Sequence, residues 1–213
     1  MRARWRTGWH SVLAMIVVAL GLLLGRPEAA SQNGSTPPSA GGLAGQFLVA
    51  SEEMGDPRFV ETVILIIHHD ASGAMGIIVN RPLGEIPTAK LFEGMGLDGT
   101  GARGTVRLHY GGPVEPRQAL TLHTTDYAVE GTLRVVGGVA VSGNPEILRA
   151  IGTGKGPKHY LIALGYAGWS PGQLEREMKA GGWFTIPADD ALVFDENNEK
   201  KWERAKARRR IDL

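Results

Sequence analysis

Tyr166-Ala167-Gly168-Trp169-Ser170-Pro171-Gly172-Gln173-Leu174-Glu175 follows directly on the apolar run Tyr160-Leu161-Ile162-Ala163-Leu164-Gly165 and leads into an amphipathic segment. That order predicts a strand, a tight turn and a helix start. Ser170 is the expected N-cap and Pro171 the expected first helical residue, where its missing N–H costs nothing. Gly168 supplies backbone freedom at the turn, and Trp169, the largest apolar body nearby, is expected to pin the turn to the core. The stretch contains no recognisable set of catalytic groups.

Downstream, Gln173–Lys179 reads as a helix stopped by Gly181-Gly182, Trp183–Pro187 as a strand, residues 191–194 as a short element and 200–210 as a charged terminal helix. Upstream, Gln46–Ala50 is the first expected strand. Residues 62–68 are apolar on both faces and so mark a strand buried on both sides. His69-Asp70-Ala71-Ser72-Gly73 reads as a hairpin connection, followed by a strand over 74–80 that Arg81-Pro82 ends. A short helix over 88–95, a glycine-rich loop over 96–104, and strands over 106–110 and 119–123 come next, with Gly111-Gly112-Pro113-Val114 between those two strands. Residues 133–141 suit a strand pair or one bent strand. Asn144-Pro145-Glu146 opens a helix with a cap, a first-position proline and an early acid, and the helix is expected to end by Gly152. Strands outnumber helices and many connections are too short for a crossover, so the expected class is α+β with a strongly bent, mostly antiparallel sheet.

Ahead of this domain, Arg2, Arg4 and Arg6 precede an uninterrupted apolar or small run over residues 12–25. As a helix it would span about 21 Å, against a bilayer core of about 30 Å. That is short for a membrane span and suits the core of a signal peptide. Pro27-Glu28-Ala29-Ala30-Ser31 is the expected cleavage region, but Glu28 fits the minus-three position poorly, so the alternative is an uncleaved anchor with membrane attachment through residues 12–25. Arg4-Trp5-Arg6 is not a twin-arginine pair, which favours the general secretory route. Residues 31–44, rich in Pro, Gly and Ser, read as a flexible tether. The expected organisation is a signal peptide or membrane anchor over 1–30, a linker over 31–44 and one domain over 45–213, exported to the periplasm or tethered to the inner membrane; the alternative is a cytoplasmic protein whose leader is not translated.

The chain has no cysteine, which excludes disulfides, thiolate catalysis and cysteine-ligated metals. Removing Arg2, Arg4, Arg6, Arg26 and Glu28 from the 23 basic and 22 acidic residues leaves nineteen and twenty-one, a net charge of minus two. That balance does not suit a general nucleic-acid binder.

Five blocks in order carry a family resemblance: Gly45-Gln46-Phe47-Leu48-Val49-Ala50; Met54-Gly55-Asp56-Pro57-Arg58-Phe59; Gly73-Ala74-Met75-Gly76-Ile77-Ile78-Val79-Asn80-Arg81-Pro82-Leu83; Gly111-Gly112-Pro113-Val114; and Gly165 through Glu175. In these the chain resembles the YqgE/AlgH family. The resemblance implies a single α+β domain whose sheet curls into a pseudo-barrel flanked by helices. It implies no catalytic residue; one branch of that family is linked to transcriptional regulation of exopolysaccharide synthesis, so an intracellular regulator is the alternative function that it suggests. The leader and tether depart from the family pattern, and export would separate the protein from DNA.

Candidate chemistry is sparse. His68, His69, His109, His123 and His159 invite a metal site with Asp70, but no ligand spacing supports one, and no metal or cofactor is expected. A hydrolase could be assembled from Ser170, His123 or His69, and Asp126 or Asp70. Gly168, Ser170 and Gly172 meet the bare spacing of a nucleophile elbow, yet Pro171 lacks the N–H that would donate to the oxyanion. Gly152-Thr153-Gly154-Lys155-Gly156-Pro157 has a phosphate-loop composition without the following Ser or Thr and helix. Asp189 and Asp190 read as a turn or cap. The basic terminal helix, with Lys200, Lys201, Arg204, Lys206, Arg208, Arg209 and Arg210, either touches a membrane or partner or is a solvated helix docked by Trp202. The function these features favour is a non-enzymatic binding module with a protein or small-ligand partner. Its candidate family-motif or pocket positions are His69, Asn80, Gly111, Gly112, Pro113, His123, Tyr166, Gly168, Trp169 and Gln173.

Overall fold

The computed structural model describes residues 42–209. The leader over 1–30 and most of the tether lie outside the described residues. Among the described residues, ten strands and five helices run β1 (Gln46–Ala50), β2 (Val63–Asp70), β3 (Gly73–Ile78), β4 (Pro82–Pro87), α1 (Thr88–Gly94), β5 (Thr105–Tyr110), β6 (Val114–Thr124), β7 (Leu133–Val136), β8 (Val139–Ser142), α2 (Pro145–Gly152), β9 (Tyr160–Trp169), α3 (Gln173–Lys179), β10 (Trp183–Pro187), α4 (Asp190–Val193) and α5 (Asn198–Arg209). The main sheet order is β10-β1-β2-β3-β9-β6-β8-β7, with β4 and β5 branching from β9. Every pairing is antiparallel except β5 with β9. The class is therefore α+β, as the residues predict.

The sheet curls. Gly45 lies just ahead of β1, near one end of the strand order, yet a Cβ there would come within 3.3 Å of the Val135 carbonyl in β7, the strand at the other end. The resulting half-barrel encloses a core of Phe47, Leu65, Ile77, Leu122, Leu161 and their neighbours, closed by Leu192, Val193 and Trp202 from α4 and α5. A second cluster forms under Trp169, Trp183 and Leu174, and a third under Phe92, Ile147 and Ile162.

β9 contributes to all three clusters, and this is possible because its composition is apolar on both faces. Its first half lies between β5 and β6, with Leu108 opposite Ile162 and Thr121 opposite Ile162. Its second half lies against β3, with Gly76 opposite Ala167. The strand bends between the halves at Gly165, φ +73°, where Gly111-Gly112 passes against it. A Cβ on Gly112, φ +151°, would sit 2.1 Å from the Tyr166 carbonyl carbon, and one on Gly165 would sit 2.5 Å from the Gly112 oxygen. Both the backbone angle and the space demand glycine here.

Three expectations are corrected. The strand of the opening stretch does not stop at Gly165: β9 continues through Trp169, because β3 gives residues 167–169 a pairing partner. His69 and Asp70 belong to β2, not to a connection, and only Ala71 and Ser72 turn the hairpin. Pro82 opens β4 instead of ending structure. β4 pairs only with β5, so a first-position proline without an N–H costs no ladder bond. The expected α2 start is present: Asn144 Oδ1 accepts from the Glu146 N–H at 2.9 Å, with Pro145 behind it.

The terminal helix is docked, but by more than Trp202. Trp202 Nε1–H donates to the Ala50 carbonyl at 2.7 Å, and the buried Lys201 Nζ donates to the carbonyls of Val79 at 2.8 Å and Val193 at 2.9 Å. Lys201 is 1% exposed, so it does not belong to the basic solvent face on which the sequence places it. Further along, Lys206 lies over the Trp202 ring and pairs with Glu52, Arg208 pairs with Asp189, and Arg209 lies over Phe184. These basic side chains are engaged within the chain. Among the described residues no helix is long and apolar enough to cross a membrane.

Burial lowers Lys201 to about 7, and burial, then the charges of Lys201 and Arg107, lower His109 to about 4 against the opposing pull of Asn198 and the Ile162 carbonyl. Both groups bind protons more weakly folded than unfolded, so each makes stability rise with pH between its folded and unfolded pKa. Urea unfolding across pH should show a rise between pH 4 and 6.5 that His109→Asn removes, and a rise between pH 7 and 10.5, at most about 1.4 kcal/mol per unit, that Lys201→Met removes. In the same assay Gly112→Ala should cost more than about 3 kcal/mol or prevent folding. Gly55→Ala, where nothing lies within 4 Å of the added carbon, should stay within about 1 kcal/mol.

Candidate functional site

At its end β9 turns sharply into α3. Pro171 fixes the first central position of a type II turn and Gly172, φ +69° and ψ +1°, takes the second, closed by the Gln173 N–H on the Ser170 carbonyl at 2.9 Å. Ser170 is therefore not the cap and Pro171 is not in the helix. The reversal from strand to helix uses both residues, and Gly172 stands at the N-cap with no side chain to offer. Gln173 braces the turn instead, its Oε1 accepting the Ser170 N–H at 3.1 Å.

This turn aims one face of α3 at the aromatic cluster. Glu177, one turn after Gln173, receives three donors: Trp169 Nε1–H at 3.0 Å and Trp183 Nε1–H at 2.9 Å on Oε2, and Gln173 Nε2–H at 2.9 Å on Oε1. The two indoles meet edge to face with centroids 6.1 Å apart, and Phe59 packs on both, at 6.5 Å from Trp169 and 5.6 Å from Trp183. One carboxylate thus orients two tryptophans from different strands, and the aromatic wall is held rigid.

A cleft of about 560 Å³ lies against that wall. Phe59, Trp169, Trp183, Met54 and Val114 give it apolar surface; Gln173, Glu177, Glu53, Asp56 and Arg58 give it polar groups. Asp56 and Arg58 form an exposed pair at 2.6 Å, which holds the Asp56 carboxyl below its ordinary value, and Arg58 also lies over the Phe59 ring at 5.6 Å. With Glu53, Asp56 and Glu177 against Arg58, the lining is acidic. The arrangement suits a ligand with an apolar group for the wall and a positive charge for the rim.

Four of the ten candidate positions line this cleft: Pro113, Gly168, Trp169 and Gln173. Gly111 and Gly112 are the backbone crossing beneath it, and Tyr166 belongs to the main core, where burial raises its phenol. Asn80 is a structural bridge: its Oδ1 accepts the Val63 N–H at 2.9 Å and its Nδ2 donates to the Glu61 carbonyl at 2.8 Å. His69 lies outside the cleft lining. Its Nδ1 accepts the Leu43 N–H at 3.0 Å, so Nε2 carries the proton and donates to Glu175 at 2.8 Å. The bond from the Leu43 N–H ties the end of the tether to the sheet.

His123 is fully buried in β6, with Nδ1–H on the Thr124 carbonyl at 2.9 Å, and desolvation lowers its pKa. Neither His69 nor His123 engages Ser170, so these residues form no Ser–His–Asp arrangement. Among the described residues no group of three potential ligands could hold a metal ion. Phe59, Glu177 and Trp183 were missed as site residues. For Glu177 a signal existed, its spacing of four from Gln173 on one helix face.

The AlgH-like family profile, DUF179, matches residues 47–213. A UPF0301 protein of Rhodospirillum rubrum is 46% identical over 172 residues, 81% of this chain and 90% of that protein. A UPF0301 protein of Methylococcus capsulatus is 44% identical over 162 residues, 76% of this chain and 88% of its own. The solution structure of the AlgH protein from Pseudomonas aeruginosa is similar at a TM-score of 0.67 and 36% identity, covering 84% of this chain and 92% of that one.

Glu177→Ala should leave two buried indole N–H groups without an acceptor, costing about 2–4 kcal/mol in chemical denaturation and shifting the tryptophan emission. Glu177→Gln keeps one oxygen for the indoles and sets its amide N–H against that of Gln173, so its cost should be smaller, about 1–2 kcal/mol.

Proposed function

Because the chain belongs to the AlgH-like family, we propose that it works as that family's scaffold adapted for binding: a non-enzymatic module of the cell envelope whose ligand enters the Trp169–Trp183 cleft. The observation that carries this reading is the Glu177 tie. Three donors from two strands and a helix converge on one carboxylate and leave a preformed apolar wall beside an acidic rim. Preformed walls of this kind lower the ordering cost of binding. The ligand class that fits is a cationic, partly apolar one, such as a basic peptide segment or an organic amine.

Envelope placement is supported by the leader sequence. Arginines at 2, 4 and 6, the apolar run over 12–25 and the Pro-, Gly- and Ser-rich stretch after it have the order of an export signal followed by a tether. The net charge of minus two after the leader disfavours a nucleic-acid partner.

Gly168 offers a clean way to block the cleft. It lines the site, and a Cβ there would meet ordinary contacts, 3.5 Å from Tyr166 Cε2 and 3.7 Å from Val114 Cγ2. A short peptide alternating Lys with Leu or Phe should quench the tryptophan emission saturably. Gly168→Leu should weaken that binding about tenfold or more while leaving the unfolding midpoint little changed. Equal binding by the variant would remove the cleft as the site. Fractionation of cells expressing a C-terminally tagged chain should place it in the membrane or periplasmic fraction. A full-length, soluble cytoplasmic protein would remove the envelope placement and favour an intracellular regulator.

A further inference from the structure

A separate cavity of about 270 Å³ opens between β5, the residues leading into β9, and the chain that joins α4 to α5. His109, Asn198 and Lys201 are among its lining residues, each more than nine-tenths buried. Lys201 directs two N–H groups at backbone carbonyls, and as an ammonium it has a third. Asn198 Nδ2 donates to the Glu196 carbonyl at 3.0 Å, which identifies its Oδ1 as the free acceptor. Neither that oxygen nor His109 Nδ1 has a partner in good hydrogen-bond geometry; the Asn198 side chain faces His109 closely enough to act as a weak acceptor that raises its pKa, against the larger effect of burial. Partnerless buried polar atoms are rare because they are costly, and two beside a buried amine at one cavity are what a bound polar group would relieve.

We infer that this cavity binds a small oxyanion that carries its own O–H, either a protonated phosphate group or a hydroxycarboxylate. The anionic oxygen takes the third N–H of Lys201, and the ligand O–H donates into the pair of acceptors formed by Asn198 Oδ1 and His109 Nδ1. The charge of the lining permits this. Of its three carboxylates, Glu85 is paired with Arg107 at 2.9 Å and Asp195 with Arg204, and against the third, Glu196, the lining sets Lys158 and Lys201. The depressed pKa of Lys201 points the same way, since it reflects burial without a counter-charge, which an anion would supply. Asn198 also gives the site a selectivity rule. Sulfate has no proton at neutral pH and offers nothing to a carbonyl oxygen, whereas monohydrogen phosphate does.

The test uses the full chain, melted at pH 7 and equal ionic strength in chloride, inorganic phosphate, sulfate, glycolate or acetate. Phosphate or glycolate should raise the midpoint by about 3–6 °C at ten times its Kd, and sulfate and acetate should not. A gain with phosphate alone identifies a phosphate ligand, and a gain with glycolate alone a hydroxycarboxylate. Asn198→Leu should lose the gain. With lysine Cε labelled, the Lys201 resonance should titrate about one unit higher with the stabilising anion than with sulfate, a readout that decides the matter if the variant does not fold. No gain with either anion, an equal gain with sulfate, or a gain retained by Asn198→Leu would overturn the assignment.

Discussion

Two backbone segments touching without side chains between them is the constraint from which the rest of this molecule follows. Gly111-Gly112 passes directly against Gly165-Tyr166, at distances that leave no room for a Cβ on Gly112 or Gly165. The contact bends β9 and hands it from β5 and the long arm of β6 to β3. One strand thereby serves two halves of a curled sheet and three apolar clusters. A flat β9 would bury its two faces against a single pair of layers, and the sheet would have no reason to close.

The cleft is a consequence of that bend. Past Gly165 the strand carries Ala167 and Trp169 toward Trp183 of β10, and the Pro171-Gly172 turn returns the chain so that Gln173 and Glu177 face the same indoles. Indole N–H groups are donors only, so two of them can share one carboxylate without conflict. Three hydrogen bonds to Glu177 replace the hydration it loses beside the apolar rings. Rigidity at this wall is thus built from strand register, turn geometry and one acid.

Lys201 illustrates a different principle. Read along the chain, it is one of seven basic residues on a terminal helix, and nothing local separates it from Lys200. Folded, it is the residue on the inner face whose stem crosses the core boundary and whose amine reaches two carbonyls, at the exit of β3 and the end of α4. Those carbonyls have no ladder or helix partner to spare for them, so the lysine satisfies them at the cost of its own hydration. Its neighbours His109 and Asn198 each keep a buried polar atom, Nδ1 and Oδ1, without a partner in good hydrogen-bond geometry.

Local chemistry in the sequence was enough for most of the framework. Apolar runs, the Asn144-Pro145 cap and the glycine pairs at 111–112 and 181–182 determined the strands, helices and stops, because each depends on a few adjacent residues and their backbone preferences. They also made the α+β class and the importance of Trp169 legible. What they could not determine was which residues meet. The extension of β9 to Trp169, the convergence of Trp183 and Glu177 on it, the commitment of His69 to Leu43 and Glu175, and the burial of Lys201 all depend on partners far away in the chain. Only the tertiary structure decides these, because the free energy that selects them comes from contacts that do not exist until the sheet has curled.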